Sequence, residues 1–297
     1  MMNKINICPV CEYPKSANVS HYSEHFLVKC KSCNFVYAEQ IPTQDELDEV
    51  YNSYDYSTEN SSPTAASMKK HIDICNYIMS LGKISSVLDV GCGKGAWLNI
   101  FKEFGCDTFG TEYNDDFKTF VSSVGHTMLD GGLFPIVRKD QKFDLIIFTE
   151  VIEHIQNPNE VLSYFNSILS NDGLIFITTP NFSAIERHFL RGKWKNVMYP
   201  EHLSYYTPAT LNRILKKTSY SKISLYSENI GVFVILESLG FSSNTRISVS
   251  SGIQTATTGS KALSTIKILI NKLLNMAGIG TSIKAIYKKS APSKKAL

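Results

Sequence analysis

The sequence predicts an α/β fold: a mainly parallel seven-stranded sheet with helices on both faces, preceded by a small cysteine-bearing ribbon. Three observations carry this. From about residue 68 onward, short apolar runs alternate with segments of helical period, the pattern of strand–helix–strand units. The run Phe143–Thr149 is apolar almost throughout, as in a strand buried on both faces. Two Cys-x-x-Cys turns, Cys8–Cys11 and Cys30–Cys33, stand eighteen residues apart near the start.

The cysteine turns come first. Each aims two thiolates at one point, so Cys8, Cys11, Cys30 and Cys33 suit a closed, tetrahedral structural zinc site. Apolar residues around Phe26–Val28 and Phe35–Tyr37 give short strands to carry the turns, while His21 and His25 read as surface residues. Disulfides or a redox pair are the competing readings. Met1–Val10 holds no apolar export run, which favours reduced thiols and a cytoplasmic setting. The ribbon is expected over residues 1–40. A polar connector follows over 41–67, with one short helix around Gln44–Tyr51 begun by Thr43 as N-cap.

The main domain is expected over residues 68–290. Helix Met68–Leu81 ends at Gly82, and strand Ile84–Val90 leads through a glycine-rich turn into helix Ala96–Phe104, stopped by Gly105. Strand Asp107–Gly110, helix Asp115–Val124, strand Thr127–Leu129 and strand Phe143–Thr149 follow. Asn157-Pro158 caps helix Asn159–Leu169, and Gly173 precedes strand Leu174–Thr178. Thr207-Pro208 opens a helix to Lys217, and strands Lys222–Tyr226 and Ile283–Tyr287 complete the seven. Between them, 229–280 reads as a helical insertion. The apolar stripe of Lys261–Met276 is expected to cap the sheet or the substrate mouth rather than touch lipid. Residues 291–297 form a basic tail.

Composition sets bounds. A chain of 297 residues, 43% hydrophobic, supports one large domain with small attachments. A net charge of +3 is too small to imply nucleic acid by itself. No uninterrupted apolar run reaches the ~18 residues a membrane span needs.

Asp89-x-Gly91-x-Gly93-x-Gly95 joins a strand to a helix. Glycines let the backbone approach a ligand there, and the helix start offers free N–H groups. Read loosely, Gly91-x-Gly93-x-x-Ala96 also fits a dinucleotide site. Asp89 separates the two, because a dinucleotide strand normally carries an apolar residue there; a carboxylate can meet the positive methionine end of S-adenosylmethionine. Glu112, 23 residues after Asp89, is placed to accept ribose hydroxyls from either cofactor. Together with Phe143-Asp144-Leu145-Ile146-Ile147-Phe148, these residues resemble the class I S-adenosylmethionine-dependent methyltransferases over roughly Met68–Tyr226 and the last strand. The resemblance implies a Rossmann-like fold and S-adenosylmethionine as cofactor. It places Asp89, Gly91, Gly93 and Gly95 around the methionine moiety, Glu112 on the ribose, and Leu129 or Asp130 beside adenine. A non-catalytic binding protein that keeps the cofactor fold is the alternative from another class.

After the buried strand come Glu150-Val151-Ile152-Glu153-His154, whose polar residues at i, i+3 and i+4 can share one side of a helical turn. His202, in a downstream loop, is expected to return to the same rim. In the plainer reading Glu150 lies near the cofactor and His154 is packed structurally. In the sharper one Glu150, Glu153, His154 and His202 form a catalytic cluster around Mg²⁺ or Mn²⁺. That pattern resembles the ubiquinone-pathway O-methyltransferases and the small-RNA 3′-end ribose 2′-O-methyltransferases, implying an acceptor with neighbouring hydroxyls. General-base catalysis by His154 or His202 without metal is the third reading. The cysteine knuckle and Pro200-Glu201-His202-Leu203 also resemble bacterial methyltransferases of surface-glycan and secondary pathways. Sugar C-methyltransferases share the knuckle but are longer, which favours O-methylation of a sugar, glycan intermediate or small molecule. Arg187-His188 and Arg191-Gly192-Lys193-Trp194-Lys195 set cations beside an aromatic. The segment reads as a solvated loop, a phosphate or uronate contact, or an RNA contact with Trp194 stacking a base. RNA ribose methylation is therefore the alternative, weakened by the modest charge.

Overall fold

The computed structural model describes residues 4–43, 46–47, 65–229 and 277–290. The expected helix Lys261–Met276, residues 230–276 of the expected 229–280 insertion, most of the connector and the 291–297 tail lie outside them. Of the connector helix, Glu46 and Leu47 are described, and Thr43 caps them: Glu46 N–H donates to Thr43 Oγ1 (3.3 Å) and Thr43 N–H to Glu46 Oε2 (2.7 Å).

The N-terminal part contributes β1 (Ser16–Asn18), β2 (Leu27–Cys30) and β3 (Val36–Ala38). Helix α1 (Ala65–Ser80) precedes β4 (Ser86–Val90), α2 (Ala96–Glu103), β5 (Asp107–Thr111), α3 (Asp115–Ser123), β6 (Thr127–Met128) and β7 (Phe143–Thr149). Then come α4 (Pro158–Ile168), β8 (Leu169–Pro180), α5 (Ile185–Leu190), β9 (Ser204–Tyr205), α6 (Pro208–Lys217), β10 (Tyr220–Glu228) and β11 (Ser282–Lys289). The seven-stranded sheet has the order β10-β11-β8-β7-β4-β5-β6. β8, β7, β4, β5 and β6 run parallel, and β11 enters antiparallel to both its neighbours.

Period-two alternation inside the apolar strands builds two cores. Leu145 and Ile147 of β7, with Leu174 and Phe176 of β8, pack under α1 and α2 through Cys75, Ile78, Ile100 and Phe101. Ile146 and Phe148, with Ile175 and Ile177, face α4 and α6 through Leu162, Phe165, Leu211 and Ile214. Each fully buried aliphatic or aromatic side chain there contributes roughly 1.5–3 kcal/mol. Cys8, Val10, Cys30, Phe35 and Tyr37 join this second core, so the cysteine-bearing ribbon is packed on the α4/α6 face.

Several boundaries differ from expectation. Leu169 opens β8 rather than closing the preceding helix, pairing with Phe143 across the sheet. Asn157 occupies the N-cap of α4 without a side-chain cap bond; Pro158 at the first turn supplies the start signal. Thr207 caps α6 in a reciprocal box with Thr210, as its sequence position suggested. Two elements had no sequence signal: β9, which pairs with β3 as the fourth strand of the ribbon sheet, and α5.

Candidate active site

The sheet order reverses at β4, whose neighbours β5 and β7 lead away in opposite directions, so the crevice over its carboxyl end is where ligands bind in open α/β sheets. The glycine loop sits at that end. Gly91 (φ 75°) turns the chain, and its N–H and that of Cys92 donate to Thr111 O on β5. A Cβ on Gly91 would lie 2.8 Å from Val151 Cγ2. Gly93 (φ 51°) has open space where its Cβ would be, and Gly95 (φ 74°) is the N-cap of α2.

Asp89 is 1% exposed, and neither carboxylate oxygen has a partner among the described residues. Burial first, and the charge of Glu112 second, push its carboxyl from 3.8 up to about 8. An orphaned acid beside a glycine loop fits a ligand that brings a cation. Glu112 follows β5 and accepts from Gly93 N–H (2.8 Å), Tyr113 N–H (2.7 Å) and Asn114 N–H (3.0 Å), which fixes both the loop and the carboxylate. Leu129 is half-buried, its N–H bonded to Gly110 O (2.8 Å), and Asp130 beside it is exposed; both lie just past β6 on the same rim.

Past β7 the chain makes a 3₁₀ turn, Ile152–His154. Glu153, His154 and His202 come together there, one ligand atom of each lying within 4.8 Å of the others. His202 arrives from the segment before β9, and the two imidazoles meet edge to face at 4.8 Å. Glu150 stands outside this trio. It precedes the turn in a left-handed conformation (φ 55°), and its Oε1 accepts from Thr178 Oγ1 (2.7 Å). The expected four-residue cluster is thus three residues with Glu150 as a neighbour, because i, i+3, i+4 spacing converges only on a continuous helix.

Both histidines are oriented alike. His154 Nδ1 lies 3.0 Å from Glu201 O, and His202 Nδ1 lies 3.0 Å from Asn196 O. A carbonyl only accepts, so each Nδ1 carries a proton, which leaves Nε2 as the atom a cation could meet. Burial, and then His202, bring the His154 imidazole down to about 4. Glu153 accepts from Thr179 Oγ1 (2.9 Å); burial and then Glu150 raise its carboxyl well above the usual range. Thr178 and Thr179 were missed in sequence; the signal available was a hydroxyl pair ending a buried strand.

The four cysteines converge as expected. Both turns have the same form: the first Cys N–H donates to the carbonyl five residues on, and the fifth residue, Glu12 (φ 61°) or Asn34 (φ 63°), is left-handed. Cys8 and Cys33 sulfurs lie 3.6 Å apart, Cys11 and Cys30 3.5 Å. A tetrahedron of Zn–S bonds of about 2.3 Å has edges of about 3.8 Å, so the set fits zinc. His21 is exposed and His25 half-buried, and neither joins the set.

The Arg187–Lys195 segment corrects the sequence reading. It forms α5 and a 3₁₀ turn, with His188, Arg191, Lys193 and Lys195 exposed as a solvated segment would have them and Trp194 turned inward. Trp194 is 4% exposed, packs against Phe182 and donates from Nε1 to Glu186 (3.3 Å), so it presents no face for a base to stack on. Arg187 lies over the Phe182 ring and donates to its carbonyl.

Comparison with known proteins places this geometry. Residues 63–225, more than half of the chain, match the family model described as a methyltransferase domain. The C-methyltransferase NovU of Streptomyces niveus is 20% identical over 209 residues, 69% of this chain and 48% of its own. The mitochondrial ubiquinone biosynthesis O-methyltransferase of Dictyostelium discoideum is 29% identical over 115 residues, 32% of this chain and 35% of its own. The chain thus spans about half or less of the length of these relatives. A SAM-dependent methyltransferase from Archaeoglobus fulgidus shares the fold, with TM-score 0.51, 20% identity and coverage of 80% of this chain and 99% of that one. No helix among the described residues is long and apolar enough to cross a membrane.

Proposed function

Since the chain belongs to the methyltransferase-domain family, we propose that it moves a methyl group from S-adenosylmethionine to one of two neighbouring hydroxyls on a sugar, glycan intermediate or small molecule. The observation that carries the cofactor is Asp89, a buried acid without a protein partner at the point where the sheet order reverses. Its carboxylate would take the ammonium of the methionine end. Gly91, Gly93 and Gly95 keep the loop close enough for backbone contact, Glu112 would accept the ribose hydroxyls, and Leu129 and Asp130 would border adenine.

Glu153, His154 and His202 would hold a divalent cation, Mg²⁺ or Mn²⁺, whose chemistry there is to lower the pKa of a chelated hydroxyl. Two features support ligation over general-base catalysis. A base working near neutrality has a pKa near 7, whereas His154 is held at about 4. Each Nδ1–H is also tied to a carbonyl, the outer arrangement that aims Nε2 of a metal-bound histidine. Glu150, locked on Thr178, adds negative potential beside the trio rather than a ligand. Cys8, Cys11, Cys30 and Cys33 would hold a structural zinc, and four thiolates of this kind suit a reducing, cytoplasmic setting.

The match to NovU covers more of the chain than the O-methyltransferase match does, which supports C-methylation as the second reading. With Trp194 buried, RNA methylation loses the residue that would have stacked a base. The test is transfer of labelled methyl to glycan-derived, quinol and RNA acceptor pools, with and without chelator. Turnover should fall with chelator and return with Mg²⁺ or Mn²⁺, and His202→Ala should abolish it while cofactor affinity survives. Activity indifferent to chelator but lost in His154→Ala or His202→Ala would replace the metal by a general base.

A further inference from the structure

From Arg187 to Pro200 the chain holds no acid, while Arg187, Arg191, Lys193 and Lys195 bring lasting positive charge. The whole protein nets only +3, so without this stretch it would be net negative. Folding sorts the stretch by face. Glu186, Trp194 and Val197 are buried, and Leu190 packs partly against the core that holds Trp194 and Val197. Their spacing of three to four residues makes them the inner side of α5 and of the 3₁₀ turn that follows it. The outer side is left with His188, Phe189, Arg191, Lys193, Lys195 and Met198. Phe189 is 50% exposed and Met198 36%.

Arg191, Lys193 and Lys195 form no ion pair among the described residues. His188 adds no charge near neutral pH, since burial and then Arg187 lower its pKa. The backbone between these cations is tied at both ends. Tyr22 of the ribbon donates to Arg191 O (2.8 Å), and Asn196 O, next after Lys195, receives the Nδ1–H of His202 (3.0 Å). With Trp194 buried between them, the cations are left pointing away from the body of the protein. A face that served solubility alone would mix both signs and keep its aromatic ring inside. A single-sign field around an exposed phenyl ring is instead the make-up of an interfacial segment: the ring enters the boundary of headgroups and acyl chains, and the cations stay with the phosphates.

We propose that this face docks the protein peripherally on an anionic lipid bilayer, with Arg191, Lys193 and Lys195 on the headgroup phosphates and Phe189 at the acyl boundary. Charge complementarity selects the occupant, and the apolar side chains Phe189 and Met198 on the same face select a bilayer over a purely ionic polymer. Each such cation near an anionic surface is worth about fivefold in affinity, so the three together favour anionic over neutral lipid on the order of 100-fold. Because Asn196 joins the cationic turn to His202, docking would bring the Glu153–His154–His202 trio to the bilayer surface. The acceptor hydroxyl would then be carried on a lipid. That consequence alone rests on the methyl-transfer reading; the docking does not.

The experiment is co-sedimentation of the full chain with vesicles of phosphatidylcholine alone and of phosphatidylcholine mixed with phosphatidylglycerol. Affinity for the mixed vesicles should exceed that for the neutral ones on the order of 100-fold and collapse at about 0.5 M salt, where the Debye length falls to about 4–5 Å. The triple variant Arg191→Gln, Lys193→Gln, Lys195→Gln should lose that preference. Phe189→Ser should weaken binding about fivefold and keep the salt dependence. All four side chains are exposed, so melting temperature and S-adenosylhomocysteine affinity should stay as in the wild type, which reports that the variants are folded. Equal affinity for both vesicle types, binding to neither, or binding that survives the triple variant would overturn the assignment. Retention of single-stranded RNA through the same three cations, without vesicle binding, would overturn it in favour of nucleic acid. An unaltered Phe189→Ser variant would refute the inserted ring. The vesicle assay needs no methyl donor, so its failure leaves the methyl-transfer reading standing. Vesicle binding by a protein without affinity for S-adenosylhomocysteine would uphold the surface and refute that reading instead.

Discussion

On the reading that Asp89 takes the ammonium of the cofactor, binding should release a proton. Its carboxyl is held at about 8 in the folded protein against 3.8 ordinarily, by burial and then by Glu112. In the unfolded chain the group is ionised at pH 7, whereas in the folded protein it is mostly protonated, so folding takes up a proton. Its raised pKa therefore makes stability fall as pH climbs from about 4 toward 8. At pH 7 the difference, taken at 1.36 kcal/mol per unit, is about 4 kcal/mol. A ligand ammonium reverses the preference and expels the proton. Affinity for S-adenosylhomocysteine should then rise nearly tenfold per unit between pH 6 and 7, with close to one proton released per ligand, and level off near pH 8. Asp89→Asn keeps the shape and removes the charge. It should cost about 1.5–3 kcal/mol of affinity at pH 7.5, on the order of 10- to 150-fold, and abolish the pH slope. Without ligand the same variant should melt higher than wild type at pH 7.5, because no acid has to be kept neutral in the interior. Calorimetry in buffers of different ionisation enthalpy counts the protons, and thermal melts give the stability. Affinity independent of pH from 6 to 8 with no proton exchanged, or an Asp89→Asn variant less stable than wild type, would refute the reasoning.

Other outcomes follow from the same geometry. Gly93→Val should remove S-adenosylhomocysteine binding in calorimetry, since its side chain occupies open space in the loop; backbone strain at φ 51° should cost about 1–2 kcal/mol and leave the fold intact. Elemental analysis of protein purified without chelator should find one zinc per chain, and Cys33→Ser should lower it. Hydrogen exchange at Tyr37 and Tyr205 should then quicken together, because β3 and β9 form one ladder. Trp194→Ala should destabilise the protein by about 3–5 kcal/mol in denaturant titration; a loss under about 0.5 kcal/mol would return that segment to the surface.

How much was legible depended on the range of the forces involved. Phe143–Thr149 has the expected bounds because an apolar run with no alternation admits few other fates. β8 begins earlier than expected since Ser170-Asn171-Asp172-Gly173 looks like a turn, and only pairing with β7 holds Leu169 extended. β9 is two residues long, too short for any period, and its partner β3 lies far away in sequence. In the site, residue types and spacings announced the convergence of the four cysteines and of Glu153, His154 and His202, with Glu150 expected among the last group. The left-handed backbone of Glu150 carried no signal, as glutamate is not a residue that favours it. Trp194 misled because its flanking cations suggest solvent, while the partner that buries it, Glu186, lies on a helix the sequence did not reveal. Residues of α1, α2, β7, β8 and β11 meet around a small cavity lined by His71, Trp97, Thr149, Thr178 and Ser282, and no local spacing encodes such a meeting.

The route from the cysteine turns to His202 bears on how this protein can be recombined. Cys30 N–H is bonded to Phe35 O within the second turn, Ala38 N–H to Leu203 O, and Leu203 N–H to Glu153 O, while Val36 and Tyr37 pair with Tyr205 and Ser204. The described part of the ribbon, residues 4–40, is therefore one half of a ladder whose other half, β9, closely follows a histidine of the candidate site. A chimera that exchanges the ribbon alone would mate foreign rungs to β9 and shift His202 against Glu153. A crossover that moves residues 199–206 together with the ribbon keeps both halves matched, so the inheritable unit here is two stretches of chain distant in sequence and joined by four strands.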